Sequence, residues 1–407
     1  MVARMTRILI VFIAAAGAGR SGDPPAHAGR QESVQSASDL QEDGPEEVMI
    51  TPPDVHLEIA RKIRARHRVP ALALAVVRTG EPPRIAATGL RKARGKHPVT
   101  VHDKWHLGSC TKSMTATMIA ALVEQGRMAW DDTPARRLPE PAGKIHPKWR
   151  DVTLEQLLCH TAGLPEDRTP DLRIWPRICA LTGELPGQRQ SFVELIMSRA
   201  PASAPGEKYV YANAGFVIAA AMAEAATGES YEALMSRLLF NPLGMASAGF
   251  GPPGDPDKVD QPWGHDAALL IYQPIPPGPG ADNPPVYAPS GTAHMSIGDW
   301  AAYAHLHLQA LRGNHRLLRP ETWRRIHGDP FGQGYAFGWA TGRQHWASGP
   351  VLAHDGSNGR WYAIAVLAPR RDLAILVATN AADATAEKAC VAAIEAIKKH
   401  YGPAGAQ

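Results

Sequence analysis

Cysteine is scarce: four residues (Cys110, Cys159, Cys179 and Cys390) in a chain of 407. That excludes a disulfide framework as the source of stability. Cys159 with Cys179 is the pair to test first, and buried free thiols are the plainer expectation for all four. Aromatics make up only 6%, so core packing must lean on Ala, Leu, Ile and Val. No charge sign dominates either: the net charge is +4, no dense Lys/Arg stripe occurs, and a nucleic-acid partner is not expected. The basic stretch Arg61 to Arg68 reads as the solvated face of a helix. Metal-ligand patterns are also lacking. There is no His-Glu-x-x-His, and in His305-x-His307 the two rings do not share a helix face. No metal and no cofactor are expected.

What is present begins at the N-terminus. Arg4 and Arg7 precede an apolar run, Ile8 to Ala18, too short to span a bilayer comfortably, and Ala26-His27-Ala28 offers small residues where a signal peptidase reads. Residues 1–28 are therefore expected to be a secretory signal peptide and the protein to be exported, periplasmic or extracellular. An uncleaved signal anchor is the alternative, and the only route to a membrane. Residues 29–53 are polar, acidic and poor in large apolar side chains, the composition of a disordered tether. The folded domain is expected over 54–402.

Within that span, Val55, Ile59 and Ile63 recur at helical spacing with Asp54 as a cap. Ala71 to Val77 and Ile85 to Gly89 flank a Gly-Glu-Pro-Pro turn and read as a hairpin. Residues 109–248 are mostly helical in pattern. Pro252 to Pro289 reads as an irregular excursion across the surface. Strands are predicted at 335–340, 351–354, 361–367 and 373–379, and an Ala-rich helix over 386–401. This order predicts an α+β fold: an antiparallel β-sheet flanked by helices from both chain ends, with an inserted mainly helical lobe. The sheet lobe would cover about 54–108 and 288–402, the helical lobe about 109–287, and the cleft between them is the natural place for a site.

Three segments carry chemistry. Gly108-Ser109-Cys110-Thr111-Lys112 opens a helix, so Ser109 and Lys112 share a face. A serine hydroxyl is inert at neutral pH until a base takes its proton, and a lysine serves only if burial or a nearby cation favours its neutral form. Alone, the pattern Ser-x-x-Lys is at chance level. Tyr211-Ala212-Asn213, after a Pro-Gly turn, adds a second proton carrier and an amide for a substrate carbonyl. His354-Asp355-Gly356 adds a strand whose glycine admits a close backbone approach. The N–H groups of Ser109 and Ser357 then form a candidate oxyanion hole.

This ordered set resembles the penicillin-recognising serine hydrolases: class C β-lactamases, D-alanyl-D-alanine carboxypeptidases and their esterase and D-aminopeptidase relatives. Leu157 to Pro165, Leu122 to Asp132, Gln261 to His265, Ala288 to Gly291 and Gly334 to Trp339 resemble further landmarks of that family. The resemblance implies the β-lactamase/transpeptidase-like fold, Ser109 as nucleophile, Lys112 and Tyr211 as its proton partners, and Asn213, His354, Gly356 and Ser357 in substrate and oxyanion binding. His354 stands where β-lactamases usually have lysine. A histidine is largely neutral at pH 7, so capture of a substrate carboxylate is weaker. That favours ester, amide or peptide hydrolysis over efficient β-lactam turnover, unless the nearby Arg360 compensates. The expected partner is a small-molecule or peptide substrate. The alternative is an exported penicillin-binding-like sensor that is acylated without turnover.

Overall fold

The computed structural model describes residues 54–138, 143–166, 173–268 and 271–402. The signal segment and tether expected over 1–53 lie outside the described residues. Among the described residues, twelve strands occur in three sheets: β1 (Ala71–Val77), β2 (Arg84–Gly89), β3 (Lys104–His106), β4 (Gly249–Phe250), β5 (Gly264–Ala268), β6 (Ile271–Ile275), β7 (Ala293–Ser296), β8 (Tyr335–Ala336), β9 (Trp339–Gln344), β10 (Gly349–Ser357), β11 (Tyr362–Ala368) and β12 (Leu373–Thr379). The main sheet has seven strands in the order β2-β1-β12-β11-β10-β9-β8, all antiparallel. The N-terminal hairpin joins it through β1, with Leu72 opposite Thr379 and Val77 opposite Ala374.

Helices cover both faces of this sheet. The principal ones are α1 (Val55–His67), α2 (Thr111–Glu124), α3 (Leu185–Met197), α4 (Asn213–Thr227), α5 (Ile297–Leu311), α6 (Pro320–His327) and α7 (Ala384–His400). Ala71, Ala73, Ala75 and Val77 of β1 belong to the same apolar cluster as Trp300, Ala301 and Ala304 of α5. The opposite face meets α1 and α7, which also pack on one another. Because both faces are covered, β1, β11 and β12 are buried at every position. They therefore read as unbroken apolar runs rather than the alternation of a half-exposed antiparallel strand.

The inserted region is mainly helical, and α2 and α4 are its buried centre. All residues from Thr111 to Leu122, and from Ala214 to Glu224, are shielded from solvent. Two features depart from the sequence reading. The stretch 335–340 is not one strand but two, because Phe337 and Gly338 take positive φ (47° and 93°) and turn the chain. The Pro-rich excursion contains the β5–β6 hairpin, and at its end Ala281 is buried and the Asp282 carboxylate is nearly so, with 3% side-chain exposure. All four cysteines are free. Cys110, Cys159 and Cys390 are buried as expected, but Cys179 is exposed. No described helix is long and apolar enough to cross a membrane.

Burial fixes how stability depends on pH. His265 and His294 are held at a pKa of about 4 and His327 at about 3, in each case chiefly by desolvation. Such groups are neutral in both states at neutral pH. Below about 6.5 the unfolded chain takes up protons that the folded chain refuses, so stability is lost as pH falls from 6.5 towards 4. Each group costs up to about 1.4 kcal/mol per pH unit in that window. Asp355 acts in the opposite sense, because burial raises its carboxyl to about 6 and its cost fades on acidification. One carboxyl does not offset three histidines. Urea denaturation at pH 7.0 and 5.0 is expected to show a loss of several kcal/mol at the lower pH; equal midpoints would contradict this account.

Candidate active site

The site starts from a backbone constraint. β3 delivers the chain to Leu107, whose N–H bonds the Ala293 carbonyl at 2.8 Å. Gly108 then turns with φ +50° into a short 3₁₀ turn, Gly108–Cys110, which runs into α2. Ser109 thus lies in the turn before the helix, and Lys112 in its first turn. Strand β10 passes so close that a Cβ on Gly108 would collide with the Ser357 nitrogen, and one on Gly356 with the Ser109 nitrogen and the Leu107 carbonyl. Two glycines, one on each side, bring the Ser109 and Ser357 backbones together. On the other side of α2, a Cβ on Gly338 would strike the Lys112–Ser113 backbone. The tight β8–β9 turn is therefore seated on that helix.

Lys112 is wholly buried, with 0% exposure. Its Nζ donates to Ser109 Oγ at 3.0 Å, to Asn213 Oδ1 at 2.5 Å and to the Ser290 carbonyl at 2.7 Å. Asn213 is the first residue of α4, and its Oδ1 engages the lysine. Tyr211 presents its ring 4.8 Å from Lys112 Nζ and 4.3 Å, centre to centre, from His160. His160, itself at φ +58°, holds this segment by two bonds: its carbonyl accepts from the Val210 N–H at 2.8 Å and its Nδ1 from the Ala212 N–H at 3.1 Å. The imidazole is kept neutral, well below its usual pKa, by burial first and then by the Lys112 charge.

His354 completes the cluster, its ring centre 6.3 Å from that of Tyr211. Nδ1 donates to the Asp355 carbonyl at 2.6 Å, and Nε2 accepts from the Tyr335 hydroxyl at 3.1 Å. Desolvation, helped by the Lys112 charge, holds His354 at a pKa of about 3, so it is uncharged at neutral pH. Arg360 spends its charge on Asp266 at 3.2 Å. That ion pair competes with the compensation considered from sequence. Among the described residues no group of three or more His, Cys, Asp or Glu is placed to hold a metal ion.

All seven residues singled out in the sequence lie in this one region. Two contributors were not singled out. The Ser290 carbonyl, a backbone acceptor for Lys112, has no side-chain signature. Tyr335 entered only as part of the Gly334 to Trp339 landmark, yet its hydroxyl fixes the His354 tautomer. Trp339 and Trp361 are buried packing residues.

A sequence model of the β-lactamase family matches residues 58–397. The chain belongs to the β-lactamase family. Penicillin-binding protein 4 of Amycolatopsis lactamdurans is 26% identical over 340 residues, covering 79% of this chain and 84% of that protein. The β-lactamase of Escherichia coli K12 is 26% identical over 268 residues, 65% of this chain and 63% of that one. Unguisins hydrolase ungD' of Aspergillus campestris is 24% identical over 343 residues, covering 79% and 60%. This chain thus spans less than two thirds of the latter two relatives. Among solved structures, an octameric penicillin-binding protein homologue from Pyrococcus abyssi superimposes with a TM-score of 0.67 at 20% identity, covering 85% of this chain and 77% of that one. SurE with D-Leu gives 0.66 at 25% identity, covering 86% and 75%. The β-lactamase/transpeptidase fold and the serine-hydrolase class follow.

The close approach at β10 is testable. Gly356→Ala is expected to cost roughly 2–4 kcal/mol, since neither the Leu107 carbonyl nor the Ser109 nitrogen has room to move. Gly280→Ala, whose Cβ meets nothing within 4 Å, is expected to stay within about 0.5 kcal/mol of wild type. Urea denaturation measures both.

Proposed function

We propose that the protein hydrolyses an ester, amide or peptide bond through an acyl-enzyme on Ser109, with a D-configured or neutral acyl group favoured over a penicillin. The observation that carries the reading is the buried Lys112 Nζ at hydrogen-bond distance from Ser109 Oγ, the geometry a general base needs. In this reading Lys112 and Tyr211 together take and relay the Ser109 proton as Oγ attacks the carbonyl carbon. The developing oxyanion is met by the Ser109 and Ser357 N–H groups. The proton passes to the leaving alcohol or amine. A water then attacks the acyl-enzyme along the same route, with Tyr211 and Lys112 reused. Asn213 and the Gly356 strand edge orient the substrate.

The substrate preference rests on charge. His354 is neutral and holds its tautomer through Tyr335, and Arg360 is engaged by Asp266. Neither offers the free cation that would pair with a penicillin or C-terminal carboxylate. The similar structure solved with D-Leu supports a D-configured residue in the substrate. The predicted leader over 1–28 supports an exported location for this activity, and a small molecule or peptide as its partner.

One panel tests the proposal: p-nitrophenyl esters, D-aminoacyl amides and nitrocefin against wild type, Ser109→Ala and Tyr211→Phe. Wild type is expected to turn over esters or D-aminoacyl amides with kcat/KM at least about 100-fold above nitrocefin. Ser109→Ala is expected to lose roughly 10⁴-fold or more, and Tyr211→Phe about 10²- to 10³-fold. Ser109-independent turnover overturns the acyl-serine reading. A stoichiometric burst with no steady rate replaces it with a sensor.

A further inference from the structure

A buried carboxylate outside the cluster described above ties together the two backbone segments that carry the candidate oxyanion donors. Asp282 lies at the end of the Pro-rich excursion, with a side chain 3% exposed. Its Oδ2 accepts from His106 Nε2 at 2.8 Å. His106, on β3, is itself completely buried and stacks on Trp361 with ring centres 5.6 Å apart. The other ring nitrogen, Nδ1, accepts the Gly108 N–H at 3.2 Å, so the ring proton sits on Nε2 and points at the carboxylate. This arm ends on the residue directly before Ser109. The second arm leaves from Oδ1, which accepts from Asn358 Nδ2 at 2.9 Å. The same Nδ2 reaches the Ala281 carbonyl at 3.1 Å, and Asn358 Oδ1 accepts the Arg360 and Trp361 N–H groups at 3.1 and 3.2 Å. Asn358 is the residue directly after Ser357. Oδ1 also takes the Asn283 N–H at 2.8 Å, which holds the carboxylate in place.

We propose that Asp282 is a positioning residue that sets the separation of the Ser109 and Ser357 N–H groups, acting through His106 on one side and Asn358 on the other. This rests on the oxyanion-hole reading above. The glycine contacts between Gly108 and β10 let the two segments approach; they do not fix where along the strand the approach stops. The Asp282 bonds do fix it, and they do so from a loop that is neither on the helix of Ser109 nor on the strand of Ser357. A donor misplaced by a fraction of an ångström loses much of its value to a transition state while costing little in ground-state binding.

Asp282→Ala is therefore expected to lower kcat by roughly 10- to 100-fold with KM changed less than about threefold. Affinity for a boronic acid that mimics the tetrahedral adduct is expected to fall by the same factor as kcat/KM. Asp282→Asn keeps an acceptor for His106 and is expected to fall between wild type and Ala. Asn358→Ala cuts one arm, carries the same test if the Asp282 variants fail to fold, and is expected to show the same parallel loss. A structural role alone would lower the melting temperature and leave kcat per folded molecule and boronate affinity unchanged; that result in folded Asp282→Ala or Asn358→Ala overturns the proposal. Ser109→Ala is run alongside. If it hydrolyses substrate as wild type does, the acyl-serine reading has failed; if it is inactive and the clamp variants match wild type, only the clamp has failed.

Discussion

The site depends on a contact between two stretches of main chain. Residues 107–109 and the end of β10 lie too close for any side chain to intervene, and Gly108 and Gly356 are the residues that permit it. Everything else is arranged around that approach. The positive φ of Gly108 starts the turn that aims Ser109 outward and drives Lys112 into the interior. β10 then places His354 two residues before the contact and Ser357 immediately after it. Moving either segment away would leave the serine and lysine intact but without the facing strand.

Burial decides which groups carry charge, at the site and away from it. His160, His265, His294, His307, His327 and His354 are all pushed towards the neutral form, mainly by desolvation. A lysine at the position of His354 would add a second cation beside Lys112 in the same low-dielectric region. The neutral imidazole removes that repulsion and, with Tyr335 behind it, presents a fixed hydrogen-bonding surface.

Much of this was legible in the sequence. Fully covered strands read as apolar runs, so Ala71 to Val77 and residues 373–379 were found although they lie at opposite ends of the chain. Ser109, Lys112, Tyr211, Asn213 and His354 were found because their order and flanks resemble a known family, not because any one of them stands out. What escaped has physical reasons. The Ser290 carbonyl is backbone, and every residue has one. Asp282 sits among prolines and glycines, a composition that signals a surface loop and hides a buried carboxylate. The break at Phe337-Gly338 is set by the seat that Gly338 finds on α2, a tertiary contact that no local periodicity encodes.

The sheet order has a consequence for biosynthesis. β1 is flanked by β2 and β12, and Thr379 Oγ1 donates to the Ala71 carbonyl across 308 residues of sequence. β10, which faces Ser109, is itself held by β11 and β12. A nascent chain therefore carries its serine and lysine long before it owns the strand that faces them. Hydrolytic competence arrives last, with the C-terminal quarter, and a chain cut short before β10 would be a serine without an enzyme.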